Sequence, residues 1–136
     1  MKRYLLDTHI LLWIFLNPDK ISPAIKKIIN DDENYLSYST ASLEEISIKC
    51  SLGKLDLIGN KPEDIRLYAI KSDFDELVLS GDLVTSLYQL PTKANHRDPF
   101  DRLLIWQAIK QNLILISADE KFEQYEADGL RLVQNE

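Results

Sequence analysis

Five acidic residues stand where carboxylates can do chemistry: Asp7, Glu45, Asp98, Asp101 and Asp119. Hard divalent cations such as Mg²⁺ take oxygen ligands, chiefly carboxylates and water. A phosphodiester-cleaving centre uses such ions to orient a water and to offset charge on the leaving oxygen. Three or four acids on one edge of a fold would build that centre. Such clustering is unfavourable without a cation, so it would be an odd structural accident. Each acid also has a local structural role open to it. Asp7 can cap the helix that follows it. Asp119 can cap a short helix over Glu120–Gln124, or Ser117 can do so with Glu120 completing a capping box. Asp98-Pro99-Phe100-Asp101 is a near-ideal helix start, with Asp98 as cap and Asp101 at the third position. Glu45 precedes Lys49 by one helical turn and fits an exposed ion pair. Taken singly, Asp98 and Glu45 read as structural; the chemical reading rests on the group.

The elements that must position these acids follow from the pattern. Tyr4-Leu5-Leu6 is a short apolar run ending in Asp7-Thr8, a first strand, and His9–Leu16 is a helix stopped by Asn17-Pro18. Ser22–Asn30 starts with a Ser cap and Pro23 at the first helical position. Tyr35–Ser37 is a second strand, Thr40–Leu52 a helix stopped by Gly53, and Lys61–Asp73 another helix. Glu76–Leu79 is a third strand and Gly81–Leu90 a helix stopped by Pro91. After a polar loop, Pro99–Asn112 is helical. Leu113–Ile116 reads as a strand buried on both faces, and Leu130–Val133 as the last strand. Strands alternating with helices predict a three-layer α/β/α sandwich with a mostly parallel central sheet. In such sheets ligands bind beyond the carboxyl ends of the strands. If the first strand and Leu113–Ile116 are neighbours, Asp7 and Asp119 point into one crevice.

Bulk properties set bounds. The 136 residues suffice for one domain with a real core, and neither repeat nor linker divides them, so residues 1–136 read as a single domain. The lone Cys50 excludes an internal disulfide and a cysteine zinc cluster, and fits a reducing cytoplasm. Met1-Lys2-Arg3 and the apolar residues after it resemble a signal peptide. Asp7 and His9 interrupt that run, however, and Ile10–Leu16 is too short to span a bilayer. No other stretch resembles a membrane span. The net charge of −6 argues against a general nucleic-acid binder, which usually carries a basic footprint.

The chain resembles PIN-domain ribonucleases of the VapC toxin type over nearly its whole length. The resemblance rests on Leu5-Leu6-Asp7-Thr8-His9, on Ser42-Leu43-Glu44-Glu45-Ile46-Ser47-Ile48-Lys49 followed by Gly53-Lys54-Leu55, and on Leu90-Pro91. It rests also on Ser117-Ala118-Asp119 and, most specifically, on His96-Arg97-Asp98-Pro99-Phe100-Asp101-Arg102. Glu44 stands where this branch usually has Trp, and Glu-Ile-x-Ile-Lys marks Glu45 as the matching acid. Trp106 replaces a small residue and Ser117 a Thr; no carboxylate is lost.

The resemblance implies a PIN-like fold and a metal-dependent endoribonuclease. Asp7, Glu45, Asp101 and Asp119 would surround one or two Mg²⁺ or Mn²⁺ ions, and an activated water would attack an RNA phosphorus in line. Thr8 and Ser117 would hold that water or orient a ligand, and Asp98 would cap its helix or support a ligand from behind. His9 and His96 are read as structural or loop hydrogen-bonding residues. Lys49, Lys54, Lys93, Arg97 and Arg102 are candidates for phosphate contacts, at least half of them simply solvated. Trp13 and Trp106 are read as core or interface rather than base-stacking residues. The implied partners are an RNA substrate, a cognate antitoxin protein and a second copy of the chain in a homodimer. Two other readings stay open. One is a non-catalytic PIN-like interaction module. The other is a phosphoryl-transfer enzyme with Asp7 as nucleophile, although His9 stands where that chemistry wants a second acid.

Overall fold

The computed structural model describes residues 2–136; Met1, part of the signal-like segment, lies outside the described residues. Five strands form one fully parallel sheet in the order β3-β2-β1-β4-β5. They are β1 (Arg3–Leu6), β2 (Tyr35–Ser39), β3 (Asp75–Leu77), β4 (Ile114–Ser117) and β5 (Arg131–Gln134). The helices are α1 (Thr8–Leu16), α2 (Pro23–Ile29), α3 (Thr40–Ser51), α4 (Pro62–Lys71), α5 (Gly81–Ser86) and α6 (Pro99–Lys110). Three 3₁₀ segments, Pro18–Lys20, Leu87–Gln89 and Glu120–Asp128, complete the order.

The expected three-layer sandwich is therefore the fold. Its layers follow from the two-residue period of the strands. Tyr4 and Leu6 of β1 and Ile116 of β4 join one core with Ile10, Leu11, Ile25, Ile46, Ile65 and Ala69 from α1 to α4. Leu5 and Leu115 face the opposite way, onto Leu83 of α5, Leu104, Ile105 and Ala108 of α6, and Phe122 and Tyr125 of the last 3₁₀ segment. Helix α3 serves both layers, Ile46 on one side and Ala41 on the other.

Several element boundaries differ from the pattern. The sequence Gly81–Leu90 is a short α-helix followed by a 3₁₀ turn, and the segment after Asp119 is 3₁₀ throughout, ended by Gly129 at φ 102°. Asn112 leaves α6 with φ 57°, the left-handed geometry that Asn tolerates after a helix end, so β4 begins at Ile114 rather than Leu113. The third strand is Asp75–Leu77, shifted by Asp73, which also turns left-handed at φ 61°. Pro18–Lys20, read only as a helix stop, closes a 3₁₀ turn.

The decisive adjacency is β1 beside β4, with Leu5 opposite Leu115 and Leu6 opposite Ile116. The pairing continues one residue further: the Asp7 amide donates to the Ile116 carbonyl at 3.0 Å. Asp7 and Ser117 thus leave the sheet side by side at its carboxyl edge.

Helix α6 is seated by Leu104, fully buried and three residues beyond Asp101. Replacing Leu104 by Ala removes buried methyl groups and leaves a cavity against β4. The expected cost is about 2–5 kcal/mol of unfolding free energy, measured by urea denaturation with an unchanged slope. A loss below about 1 kcal/mol would show that α6 is held by something other than this packing.

Candidate active site

Three of the acids are held by helix starts. Asp7 caps α1, its Oδ1 accepting the Ile10 amide at 2.8 Å. Asp98 caps α6, its Oδ1 accepting the Phe100 and Asp101 amides at 2.9 and 3.0 Å. Asp119 caps the last 3₁₀ segment through the Lys121 amide at 2.9 Å, so it, and not Ser117, is the cap. Ser117 accepts the Asp119 amide at 3.0 Å and lies beside the Asp7 carboxyl group. Glu45 lies on the buried face of α3 with Ala41, Ser42 and Ile46. Its side chain is only 3% exposed, so its 2.5 Å ion pair with Lys49 is not the solvated helix pair that the spacing suggests. Glu44 points to solvent.

These acids face one another. Burial first, then the charges of Asp98, Glu45, Asp7 and Asp119, push the Asp101 carboxyl up to about 8. Burial also raises Asp7, with Glu45 adding to it, against hydrogen bonds from Ser117 and Ile10 and the charge of His9. Lys49 is raised mainly by its bond to Glu45, and the charges of Asp98 and Asp101 act on it too. Asp101, Asp119 and His96 each offer a ligand atom, and these atoms lie within 4.8 Å of one another. A cleft of about 510 Å³ opens over Asp7 and Asp119, walled by His9, Trp13, Ala118, Glu120 and Lys121.

A cation fits this donor set. The Oε1 atom of Glu45 is buried without a hydrogen-bond partner, a costly arrangement unless a positive charge meets it. At Asp101 the charges of four other carboxyl groups add to the effect of burial, and a cation would offset them. All donors are oxygens or one imidazole, the set that Mg²⁺ or Mn²⁺ accepts.

Other residues separate from the cluster. The Thr8 hydroxyl donates to Ser42 at 2.9 Å, tying α1 to α3. Arg102 is held by the Leu90 and Pro91 carbonyls at 2.8 and 3.1 Å, and Lys93 by Asp128 at 2.9 Å. Arg97 and Lys54 are exposed. Trp106 is buried and donates to Ser86 at 3.0 Å, a core role as expected. Trp13 packs against the core as expected and also forms part of the cleft wall. His96 is buried, and Tyr125, 29 residues away, meets its ring at 2.8 Å. No local spacing in the sequence announces that pair.

The PIN domain family matches residues 4–128. The chain belongs to the PIN domain family. Solved structures agree on the fold of this PIN domain. VapBC2 from Rickettsia felis, bound to a DNA fragment from its promoter, is 19% identical with a TM-score of 0.68, covering 97% of this chain and 98% of that one. DNA-bound VapBC from Salmonella typhimurium is 16% identical with a TM-score of 0.69, covering 98% of each chain. VapBC-5 from Mycobacterium tuberculosis, a member of the VapBC family of toxin–antitoxin systems, is 14% identical with a TM-score of 0.56, covering 98% and 99%. No curated protein matches the chain.

The raised Asp101 has a measurable consequence. The folded, metal-free PIN domain binds a proton at Asp101 up to about pH 8, whereas the unfolded chain releases it near 4. Between those values the folded state holds more protons, so this group's contribution to stability is lost as pH rises through the window. The facing groups are Asp98, Glu45, Asp7 and Asp119, opposed by Lys49 and His96. In EDTA, the wild-type Tm is expected to fall from pH 5 to pH 9 more steeply than that of Asp101→Asn. Parallel curves would show that the cluster does not load Asp101.

Proposed function

We propose that this PIN domain is a metal-dependent endoribonuclease acting as the toxin of a toxin–antitoxin pair. The observation that carries the reading is the convergence of Asp7, Glu45, Asp101 and Asp119 at one sheet edge, with the Glu45 Oε1 atom buried and unpartnered. A divalent ion in that cluster supplies activation of water at neutral pH and charge neutralisation at the phosphate. Asp7 and Asp101 would be the principal ligands, followed by Asp119, with Glu45 acting partly through water.

The chain's own residues do the rest. The helix caps fix one oxygen of Asp7 and one of Asp119, leaving the other of each free to face the cleft. Ser117 holds the Asp119 backbone amide beside Asp7. The α1 N-terminus fixes the Asp7 carboxyl group through the Ile10 amide, a restraint that suits a ligand better than a nucleophile. The water's oxygen bonds to phosphorus as the ester P–O bond breaks, and the departing oxygen takes a proton. The exposed Arg97 and Lys54, and Lys121 on the cleft wall, are cations that could meet phosphates without first breaking an ion pair.

The toxin reading draws support from the family and from the likeness of the fold to VapBC structures. It implies a protein antitoxin as partner, a homodimer, and work in the cytoplasm. No helix among the described residues is long and apolar enough to cross a membrane.

The test is cleavage of structured RNAs by the purified chain with Mn²⁺, Mg²⁺ or EDTA, beside Asp7→Asn. Asn retains the α1 cap, so the variant is expected to fold. Cleavage should require the metal and drop by about 100-fold or more in Asp7→Asn, beyond what loss of a merely supporting residue costs. EDTA-resistant cleavage, or a fully active Asp7→Asn, would overturn the mechanism. A phosphorylated Asp7 trapped on the enzyme would point to the nucleophilic chemistry instead.

A further inference from the structure

His96 sits in the polar loop before α6, and its side chain is 3% exposed. Its Nε2 lies 3.2 Å from Asp101 Oδ2 and its Nδ1 lies 2.8 Å from the Tyr125 hydroxyl. The Phe122 and Tyr125 rings meet it edge-on, each with centroids 5.4 Å away. The imidazole is therefore boxed in, with both nitrogens engaged. With Asp101 ionised, as a bound cation would hold it, its carboxylate only accepts hydrogen bonds, so the Nε2–H donates to it. The Tyr125 hydroxyl then donates to Nδ1, and Arg102 Nη1 stands 3.5 Å behind that hydroxyl. The loop carrying His96 is itself fastened, by Arg102 to the Leu90 and Pro91 carbonyls and by Lys93 to Asp128.

Asp101 needs such a support. Four other carboxyl groups push on it, and the terminal torsion of an aspartate is soft. We propose that His96, oriented by Tyr125, is a positioning residue that fixes the Asp101 carboxylate for a divalent cation and does not itself bind the cation. The close approach of His96, Asp101 and Asp119 would also permit His96 to be a direct ligand. To become one, the ring would have to surrender its bond to Asp101 and reverse its tautomer against Tyr125 inside the aromatic box. Supporting groups of this kind, hydrogen-bonded to a ligand, typically contribute 10–100-fold to metal affinity.

The inference rests on the proposed metal site, and the experiment separates the two. Mn²⁺ alone is titrated into the metal-free full chain and followed by electron paramagnetic resonance, without RNA. Wild type, His96→Leu, His96→Gln, Tyr125→Phe and Asp7→Asn are compared after thermal melts. His96→Leu should bind Mn²⁺ about 10–100-fold more weakly. Tyr125→Phe should weaken it in the same direction by less. His96→Gln, whose amide N–H stands near the Nε2 position, should stay within a few-fold of wild type. Spin-echo modulation of the wild-type complex should show no coupling to a coordinated imidazole nitrogen. Unchanged affinity in His96→Leu overturns the proposal, and so does a coordinated-nitrogen signal. If His96→Leu does not fold, unchanged affinity in Tyr125→Phe overturns it. A wild-type chain that binds no Mn²⁺, or an Asp7→Asn chain that binds it equally well, overturns the metal site itself and the inference with it.

Discussion

Mutual repulsion among carboxylates at one sheet edge is the constraint around which this PIN domain is arranged. In water, exposed acids would move apart; here the pairing of β1 with β4 forbids it. The Asp7 amide is bonded to the Ile116 carbonyl, so Asp7 must emerge beside Ser117, two residues before Asp119. Helix α6 brings Asp101 from one layer, and α3 brings Glu45 along the face that also carries Ala41 and Ile46. Only a packed scaffold keeps like charges together without a cation. The strain is visible in the raised Asp101 and in the unpartnered oxygen of Glu45.

The scaffold offsets part of that repulsion with helix N-termini. Asp7, Asp98 and Asp119 each cap a helical segment, and Asp101 occupies the first turn of α6. Backbone N–H groups at these ends present partial positive charge, and each cap uses one carboxylate oxygen. Capping and clustering are therefore compatible uses of the same residue. Glu45 has no helix start to help it, and Lys49 fills that role from one turn below.

Much of this could be read from the residues. The run Leu5-Leu6-Asp7 and the buried strand before Ser117 are local patterns, and alternation of strands and helices specifies a parallel sheet. Boundaries were harder to read where the backbone turns left-handed at non-glycine residues, as at Asp73 and Asn112, or where a helix tightens to 3₁₀ at Leu87 and Glu120. Those choices depend on tertiary packing, which outweighs propensity. Glu45 illustrates the limit for the site. Its spacing to Lys49 is identical for a solvated pair and for a buried one, and only α3 being packed on both layers distinguishes them. The His96–Tyr125 contact lies further out of reach, because it joins an irregular loop to a 3₁₀ segment with no repeating pattern in either.

The acidic balance of the chain bears on how an RNA would meet such a site. Setting aside the four proposed ligand acids takes the net charge from −6 to −2, so most of the excess sits in the cluster itself. Of the five cations near the motifs, Lys49, Lys93 and Arg102 are committed to internal partners, leaving Arg97 and Lys54 exposed. Few phosphate contacts mean a shallow dependence of affinity on salt and little non-specific binding. On the proposed reading, the cleft repels a polyanion until cations occupy the acids. Metal loading would then do more than supply chemistry: it would offset the negative field that a polyanion meets. On that reading, selectivity would rest on the shape of the cleft and on its His9, Trp13 and Lys121 wall more than on an extended basic surface.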